Sequence, residues 1–199
     1  MTENTKPALL FATHNRNKAA EIASMTERYT LLTLDDAGVT ADIPETATDL
    51  RGNALIKARF LYSLTGKACF ADDTGLEVDA LGGAPGVMTA RYAGPECDPN
   101  RNMDKLLAAL EGQPVRTARF RTVIAFIDAD GSETVFEGVC EGTIATERHG
   151  EEGFGYDPIF QPMDFGGRTF AQMTMGEKNE ISHRGKAVRA LAKFLNEKR

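Results

Sequence analysis

The chain has 199 residues, with 23 basic and 29 acidic side chains and a formal net charge of −6. Because 42% of the residues are hydrophobic and 26% are charged, the chain can bury a core and is not disordered by composition. The acidic balance argues against nucleic-acid binding, which requires a basic face. A small anionic ligand is still allowed, because screening over about 8–10 Å lets local basic residues outweigh distant acids. We expect a single domain over residues 1–199.

No segment predicts export or a membrane partner. The longest apolar stretches, such as residues 122–127, are much shorter than the roughly 20 residues that a membrane helix needs. The polar residues 1–7 lack the apolar core of a signal peptide. The three cysteines form no CxxC pair and the three histidines are scattered, so we expect free thiols, a cytoplasmic location and no zinc site.

The predicted elements alternate between strands and helices. Strands are predicted at residues 8–12, 30–34 and 68–71, and as a hairpin at 117–128 and 133–144. Helices are predicted where apolar residues recur at helical spacing, in residues 18–25, 54–62, 103–110 and 187–195. Gly66 supplies a stop for the second helix, and Asp98 followed by Pro99 opens the third. This mixture predicts an α/β or α+β fold with a mixed sheet.

The polar segment 13–18, Thr-His-Asn-Arg-Asn-Lys, lies between a predicted strand and a predicted helix. Backbone N–H groups at a helix start, together with a hydroxyl and a lysine, can form a phosphate site. The segment lacks the glycine-rich P-loop pattern, so an ordinary helix cap followed by an exposed Lys18 stays open as an alternative.

Asp72 and Asp73 directly follow the predicted strand 68–71. Adjacent acids repel each other and are costly to bury without a cation. Carboxylates suit Mg²⁺, which takes one or two of them together with substrate phosphate oxygens. Because adjacent strand residues point to opposite faces, we expect one acid at a site and the other in support. The alternative is a solvated turn.

Two further clusters complete the set. The segment 154–158, Phe-Gly-Tyr-Asp-Pro, offers a ring for stacking on a base and a carboxylate, unless its aromatic residues simply fill the edge of the core. Lys178 and the segment 182–185, Ser-His-Arg-Gly, place donors around the start of the last helix, unless they form a serine cap with two solvated cations. Phosphate donors, a metal acid, a stacking ring and base-edge donors together indicate a nucleoside triphosphate site.

These motifs also carry a family resemblance. The chain resembles the Ham1/RdgB family of inosine/xanthosine triphosphate pyrophosphatases, and the matching segments follow the family order over essentially the whole chain: 13–18, 53–58, 72–94, 154–158 and 182–185. The resemblance implies an elongated α/β fold of two lobes around a mixed sheet, with helices packed around it and the nucleotide in a cleft between the lobes. It also implies a homodimer that hydrolyses ITP, dITP or XTP with Mg²⁺ to the monophosphate and pyrophosphate, removing these nucleotides from the pool.

The resemblance assigns roles to individual residues. The catalytic acid, a proton acceptor and metal ligand, falls on Asp73, followed by Thr74 as a substrate contact in place of the commoner serine. The second metal carboxylate points to Glu45, with Asp42 and Asp49 nearby. Phosphate contacts fall on Thr13, His14, Asn15, Arg16, Asn17, Lys18 and Lys57. The base pocket falls on Phe154, Gly155, Tyr156, Asp157, Lys178, His183 and Arg184. Gly52 stands where the family commonly has glutamate.

Two competing functions stay open. A Maf-type nucleotide pyrophosphatase would share the architecture and reaction but use other substrates; the segments 154–158 and 182–185 favour the first family. A nucleotide-binding sensor without turnover would need the lysines and the aromatic pocket. It would gain nothing from Asp72 and Asp73, so the intact acids favour an enzyme.

Overall fold

The computed structural model describes residues 6–26, 28–41 and 43–197, and over these ranges the chain forms seven β-strands and five α-helices. The strands are β1 (Ala8–Phe11), β2 (Thr30–Leu32), β3 (Cys69–Val78), β4 (Pro85–Gly86), β5 (Thr117–Ile127), β6 (Glu133–Ile144) and β7 (Phe160–Pro162). The helices are α1 (Arg16–Met25), α2 (Leu50–Thr65), α3 (Pro99–Ala109), α4 (Met175–Ile181) and α5 (His183–Glu197). None of the helices in the described ranges is long and apolar enough to cross a membrane.

All seven strands belong to one mixed sheet in the described part of the chain. The strand order is β2-β1-β3-β5-β6-β7, and β4 pairs with β3 beside this path. Strand β1 is parallel to both β2 and β3, whereas β4 is antiparallel to β3 and β7 is antiparallel to β6. A mixed sheet with packed helices confirms the predicted α/β class.

The chain divides into two compact units, each with its own core. The first unit takes its described residues from the segments 1–73, 123–137 and 187–199, and the second from 74–122 and 138–186. The core of the first contains Leu9, Phe11, Ile22, Phe70, Ile124, Phe126, Ala187, Val188 and Leu191. The larger core of the second is built around Leu76, Met103, Leu106, Phe120, Phe160 and Phe170.

Local sequence explains where several elements begin and end. The Asn15 side chain caps α1 by accepting from the backbone N–H groups of Asn17 and Lys18. Asp98 caps α3 directly before Pro99, as predicted. Gly66 ends α2 in the left-handed conformation at φ 60°, which glycine adopts without steric cost.

Five elements differ from the sequence-based prediction. The strand predicted at 68–71 continues as β3 to Val78, so the acids of residues 72 and 73 lie inside a strand and the turn alternative is wrong. Their charges are compensated by lysines, which makes their burial possible. The short strands β4 and β7 and the seven-residue helix α4 were not predicted. Strand β2 ends at Leu32 instead of residue 34.

Candidate active site

The segment 13–18 joins β1 to α1. The Thr13 hydroxyl accepts from the Asn15 N–H at 3.0 Å, and Asn15 caps the helix, so the cap interpretation is confirmed for that residue. The His14 Nδ1 lies 2.7 Å from a carboxylate oxygen of Asp35. Arg16 and Asn17 are exposed in the first turn of α1. The backbone of this segment therefore has a defined conformation set by its own side chains.

Lys18 is not the exposed lysine of the alternative interpretation. Its Nζ lies 3.0 Å from Oδ1 of Asp72, whose side chain is almost completely buried. A buried carboxylate requires such a partner, because an unpaired charge in the interior is strongly destabilising. Asp72 therefore anchors the lysine of the candidate phosphate loop, which is the supporting role expected for one of the two adjacent acids.

Lys57 on α2 contacts two carboxylates with one ammonium group. Its Nζ lies 2.7 Å from Oε1 of Glu45 and 3.1 Å from Oδ1 of Asp73. The structure thus brings Glu45 and Asp73 to the same cation, as a shared metal site would require. Asp49 instead caps α2 by accepting from Gly52 N–H at 2.6 Å, and Asp42 lies outside the described residues.

Burial and neighbouring charges both shift the pKa values of Asp73 and Lys57. Burial raises the pKa of Asp73 above its ordinary value, Lys57 and Lys18 oppose this rise, and Glu45 adds to it. Burial alone would lower the pKa of Lys57, but the negative charges of Asp73, Asp72 and Glu45 outweigh it and raise that pKa. Lys57 therefore stays charged, while Asp73 is a better proton acceptor than an exposed aspartate.

The second oxygen of Asp73 is available for a ligand. Its Oδ2 is buried and has no hydrogen-bond partner among the described residues, which is costly unless a ligand completes the site. Among the described residues, no three histidine, cysteine or acidic side chains are grouped closely enough to hold a metal ion by themselves. A divalent cation here would therefore take ligands from Asp73 and Glu45 and from a bound substrate.

The loop that carries Glu45 is fastened to the start of α2. The Asn53 carboxamide oxygen accepts from the Ala47 N–H at 2.9 Å. Gly52 allows the loop to come close, because a Cβ at this position would lie 2.5 Å from the Ala47 Cβ. This contact explains why the chain has glycine at position 52. Asn53 was missed as a positioning residue, because its contact with Ala47, six residues earlier in a loop, follows no helix or strand spacing.

In the second unit, Asp157 and Lys178 form a buried ion pair. Oδ2 of Asp157 accepts from Lys178 Nζ at 2.7 Å and from the Phe154 N–H at 2.8 Å. Lys178 Nζ also lies 4.8 Å from the centroid of the Phe154 ring, within the range of a cation–π contact. Lys178 is thus not a solvated cation, and its ammonium is fixed beside the half-buried Phe154.

His183 and Arg184 are buried at the start of α5. Ser182 caps this helix, since its hydroxyl oxygen accepts from the Gly185 N–H at 3.0 Å. The alternative interpretation, in which the cations of this segment are solvated, is wrong, because Lys178 and Arg184 are buried. The His183 ring stacks on Phe120 with centroids 4.5 Å apart. The guanidinium carbon of Arg184 lies 5.5 Å from the Phe154 centroid. Arg184 and Lys178 therefore border the same aromatic ring.

Tyr156 fills the core, as the alternative interpretation of the segment 154–158 proposed. It is buried in the core of the second unit, and its hydroxyl donates to the Thr89 carbonyl at 2.8 Å. Burial raises the pKa of this phenol, so it stays protonated. Gly155 before it has φ +65°, which lets the loop turn between the half-buried Phe154 and the buried Tyr156.

The sequence and the fold match known proteins over nearly the whole chain. The model of the Ham1 family matches residues 9–194. A curated dITP/XTP pyrophosphatase of Porphyromonas gingivalis is 52% identical over 191 residues, covering 94% of this chain and 96% of the relative. One of Flavobacterium johnsoniae is 50% identical over 188 residues, covering 94% and 97%. The structure of the Staphylococcus aureus Ham1 protein superposes with a TM-score of 0.88 at 35% identity, covering 96% of this chain and all of the other.

Fold, site and relatives together define an enzyme of the nucleoside-triphosphate pyrophosphatase class, which confirms the class expected from the sequence. The chain belongs to the Ham1 family.

Proposed function

We propose that this enzyme hydrolyses the non-canonical purine nucleoside triphosphates ITP, dITP and XTP to the monophosphate and pyrophosphate, in a reaction that depends on Mg²⁺. The names of the relatives, dITP/XTP pyrophosphatase, support the substrate class. The observation that carries the proposal is the pair of carboxylates, Glu45 and Asp73, that share the Lys57 ammonium. A binding protein without turnover would not need two acids brought to one ammonium group at this position.

The residues present fit Mg²⁺. Asp73 and Glu45 would hold the ion, and Oδ2 of Asp73, to which no described residue donates, would supply an oxygen of the type that Mg²⁺ prefers. The ion would supply positive charge that offsets the negative charge on the triphosphate as the α–β linkage breaks.

The protein side chains supply the remaining steps. Asp73 accepts a proton from the attacking water, a role that typically contributes about 10²–10⁴-fold and is favoured by its raised pKa. Lys57 and Lys18, held by their carboxylate partners, face the negative charge of the phosphates. Both ammonium groups are positioned before substrate arrives, so little reorganisation is required on binding.

Base selection is assigned to the second unit. The Phe154 ring offers a stacking surface, which contributes about 1–3 kcal/mol without regard to base identity. Identity therefore requires hydrogen bonds to the base edge. Arg184 and Lys178 border the Phe154 ring and carry only donors, which match the 6-keto oxygen of hypoxanthine or xanthine.

The test is incubation of the purified protein with ITP and Mg²⁺, with product analysis by chromatography. We expect IMP and pyrophosphate in equal amounts, and no release without a divalent cation. Release of orthophosphate with IDP would overturn the proposed cleavage site. Preference for a nucleoside triphosphate other than ITP, dITP and XTP would favour the Maf-type alternative, and binding of ITP without turnover would favour the sensor.

The assembly and the location are also proposals. The family resemblance supports a homodimer, and the three free cysteines support a location in the cytoplasm. Light scattering coupled to size-exclusion chromatography tests the dimer, since a dimer has twice the mass of one chain. A mass equal to one chain at micromolar concentration would contradict it.

A further inference from the structure

Thr122 is a fully buried polar residue on β5 that none of the sequence motifs includes. Its hydroxyl oxygen lies 2.8 Å from the hydroxyl oxygen of Thr74, so the two side chains share a hydrogen bond. A valine of the same shape would fill the position without a polar group to satisfy. The hydroxyl of Thr122 therefore acts through its bond to Thr74.

The Thr74 hydroxyl connects this buried pair to the candidate base pocket. It accepts from Nη2 of Arg184 at 3.4 Å. Arg184 is buried, and its guanidinium carbon lies 5.5 Å from the Phe154 centroid. A hydroxyl group rotates about its C–O bond, so a fixed partner decides where its lone pairs point. Thr122 is that partner for Thr74, and Thr74 in turn receives the guanidinium.

We propose that Thr122 is a positioning residue that sets base specificity: through the Thr74 hydroxyl it holds the Arg184 guanidinium in the orientation that donates to a purine 6-keto oxygen. The inference rests on the proposed function. An arginine has five N–H donors and no acceptor, so a correctly aimed guanidinium bonds the keto group but meets the adenine amino group donor to donor. An arginine that is free to turn distinguishes the two bases less well.

The primary test compares Thr122→Val with Thr122→Ser, using kcat/KM for ITP and for ATP. We expect Thr122→Val to lower the ITP/ATP preference about fivefold, within the factor of about 2–12 that one hydrogen bond is worth. The loss should fall on KM for ITP, with ATP almost unchanged. Thr122→Ser keeps the hydroxyl and should have the same ITP/ATP preference as the unmodified protein.

A matched control separates specificity from stability. Thr26 is also buried, and its hydroxyl donates to the Ile22 carbonyl at 2.9 Å, in the first unit. Thr26→Val should lower the melting temperature without changing the ITP/ATP preference. If Thr122→Val does not fold, Thr74→Val removes the other hydroxyl of the pair and should lower the preference in the same direction.

A double-mutant cycle tests whether the effect passes through the arginine. In an Arg184→Ala background, Thr122→Val should change the preference no further. An equal fall for ITP and ATP, or a failure of Thr122→Ser to restore the preference, would overturn the proposal. If the unmodified protein prefers ITP and Thr122→Val has the same ITP/ATP preference, this inference alone is overturned. If the unmodified protein does not hydrolyse ITP, the proposed function is overturned.

Discussion

Asp73 is the residue on which the proposed chemistry depends most directly. One carboxylate oxygen is bound by Lys57, and the other is buried and has no hydrogen-bond partner in the part of the chain that the structure describes. This asymmetry leaves one oxygen fixed and the other available to metal or water. Asp73 is also one of few buried acids, since most acidic side chains that the structure describes are not buried.

We expect Asp73→Asn to reduce kcat for ITP by about 10²-fold or more, because the amide removes the proton acceptor and weakens the metal site with little change of shape. Steady-state kinetics measures the loss, and circular dichroism verifies the fold. Asp98→Asn is the control, since asparagine caps a helix as well as aspartate does. Retention of more than about a tenth of kcat in Asp73→Asn would exclude the general-base role.

Arg184→Ala should reduce ITP hydrolysis far more than residual ATP hydrolysis, so that the ITP/ATP preference falls at least about tenfold. The reason is that a buried donor that matches the keto group is left unpaired with the wrong base. The measurement is kcat/KM for ITP, GTP and ATP. An equal fall for ITP and ATP would place this arginine against the phosphates instead.

The cysteines should differ sharply in reactivity. Burial raises the pKa of Cys69 to about 12 and that of Cys140 to about 11, so both stay as thiols at pH 8, whereas Cys97 is exposed. We expect iodoacetamide to alkylate one thiol in the native protein and three after unfolding, as counted by mass spectrometry. In Cys97→Ser the native protein should react with none. Native labelling of Cys69 would contradict the burial seen here.

At the scale of elements, the short helix α4 shows how a local motif positions a candidate binding residue. Thr174 and Glu177 form a capping box, in which each side chain bonds the backbone N–H of the other. The helix begins at Met175, directly after Thr174, and its Lys178 donates a hydrogen bond to Asp157. A helix of seven residues is too short to be stable alone, so the cap contributes a large share of its local stability.

Thr174→Ala should lower the free energy of unfolding by about 0.5–2 kcal/mol, because it removes the cap. Thr174→Ser retains the hydroxyl and is the matched control. Urea denaturation of the three proteins measures the difference. If Thr174→Ala were as stable as Thr174→Ser, the capping box would not be what holds α4.

Sequence periodicity was sufficient for the elements whose pattern is local. Helix α5 and the β5–β6 hairpin match the prediction because their apolar spacing and turn residues are read within one segment. Strand β3 was predicted too short, because Asp-Asp-Thr-Gly has the composition of a turn and only the distant Lys18 and Lys57 make these acids tolerable inside a strand. Helix α4 could have been found from Thr174 and Glu177, which are the signature of its cap.

The candidate site was predictable in its residue types but not in its pairings. The family motifs gave Asp73, Lys57 and Glu45 as separate expectations, and the ion pairs that join them depend on long-range packing. The hydroxyl pair of Thr74 and Thr122 likewise links two strands, so no spacing along the chain could indicate it.

At the scale of the whole molecule, each compact unit is assembled from segments that are distant in sequence. The first unit needs the N-terminal segment, the tip of the hairpin and most of α5, and the second needs two long internal segments. No single cut of the chain therefore leaves a complete first unit. The last segment contributes three buried side chains to that core, Ala187, Val188 and Leu191.

A chain that ends at residue 186 should therefore lose the native structure of the first unit. Burial of Val188 and Leu191 alone contributes about 1.5–3 kcal/mol each, against a net stability of about 5–15 kcal/mol for a typical protein. Near-ultraviolet circular dichroism and limited proteolysis measure the loss. Lys193→Ala in the full chain changes an exposed residue of the same helix and should be within about 0.5 kcal/mol of the unmodified protein. A truncated chain with native protease resistance would contradict the prediction.

The close contact between Gly52 and Ala47 restricts how this enzyme can be recombined with its relatives. The loop of residues 43–47 follows a path that a larger residue at position 52 would obstruct. A loop grafted from a relative with a larger residue at this position would be fitted to a helix start that this chain does not have. Chimeras that exchange this loop must therefore exchange residue 52 as well, because the loop and position 52 are compatible only as a pair.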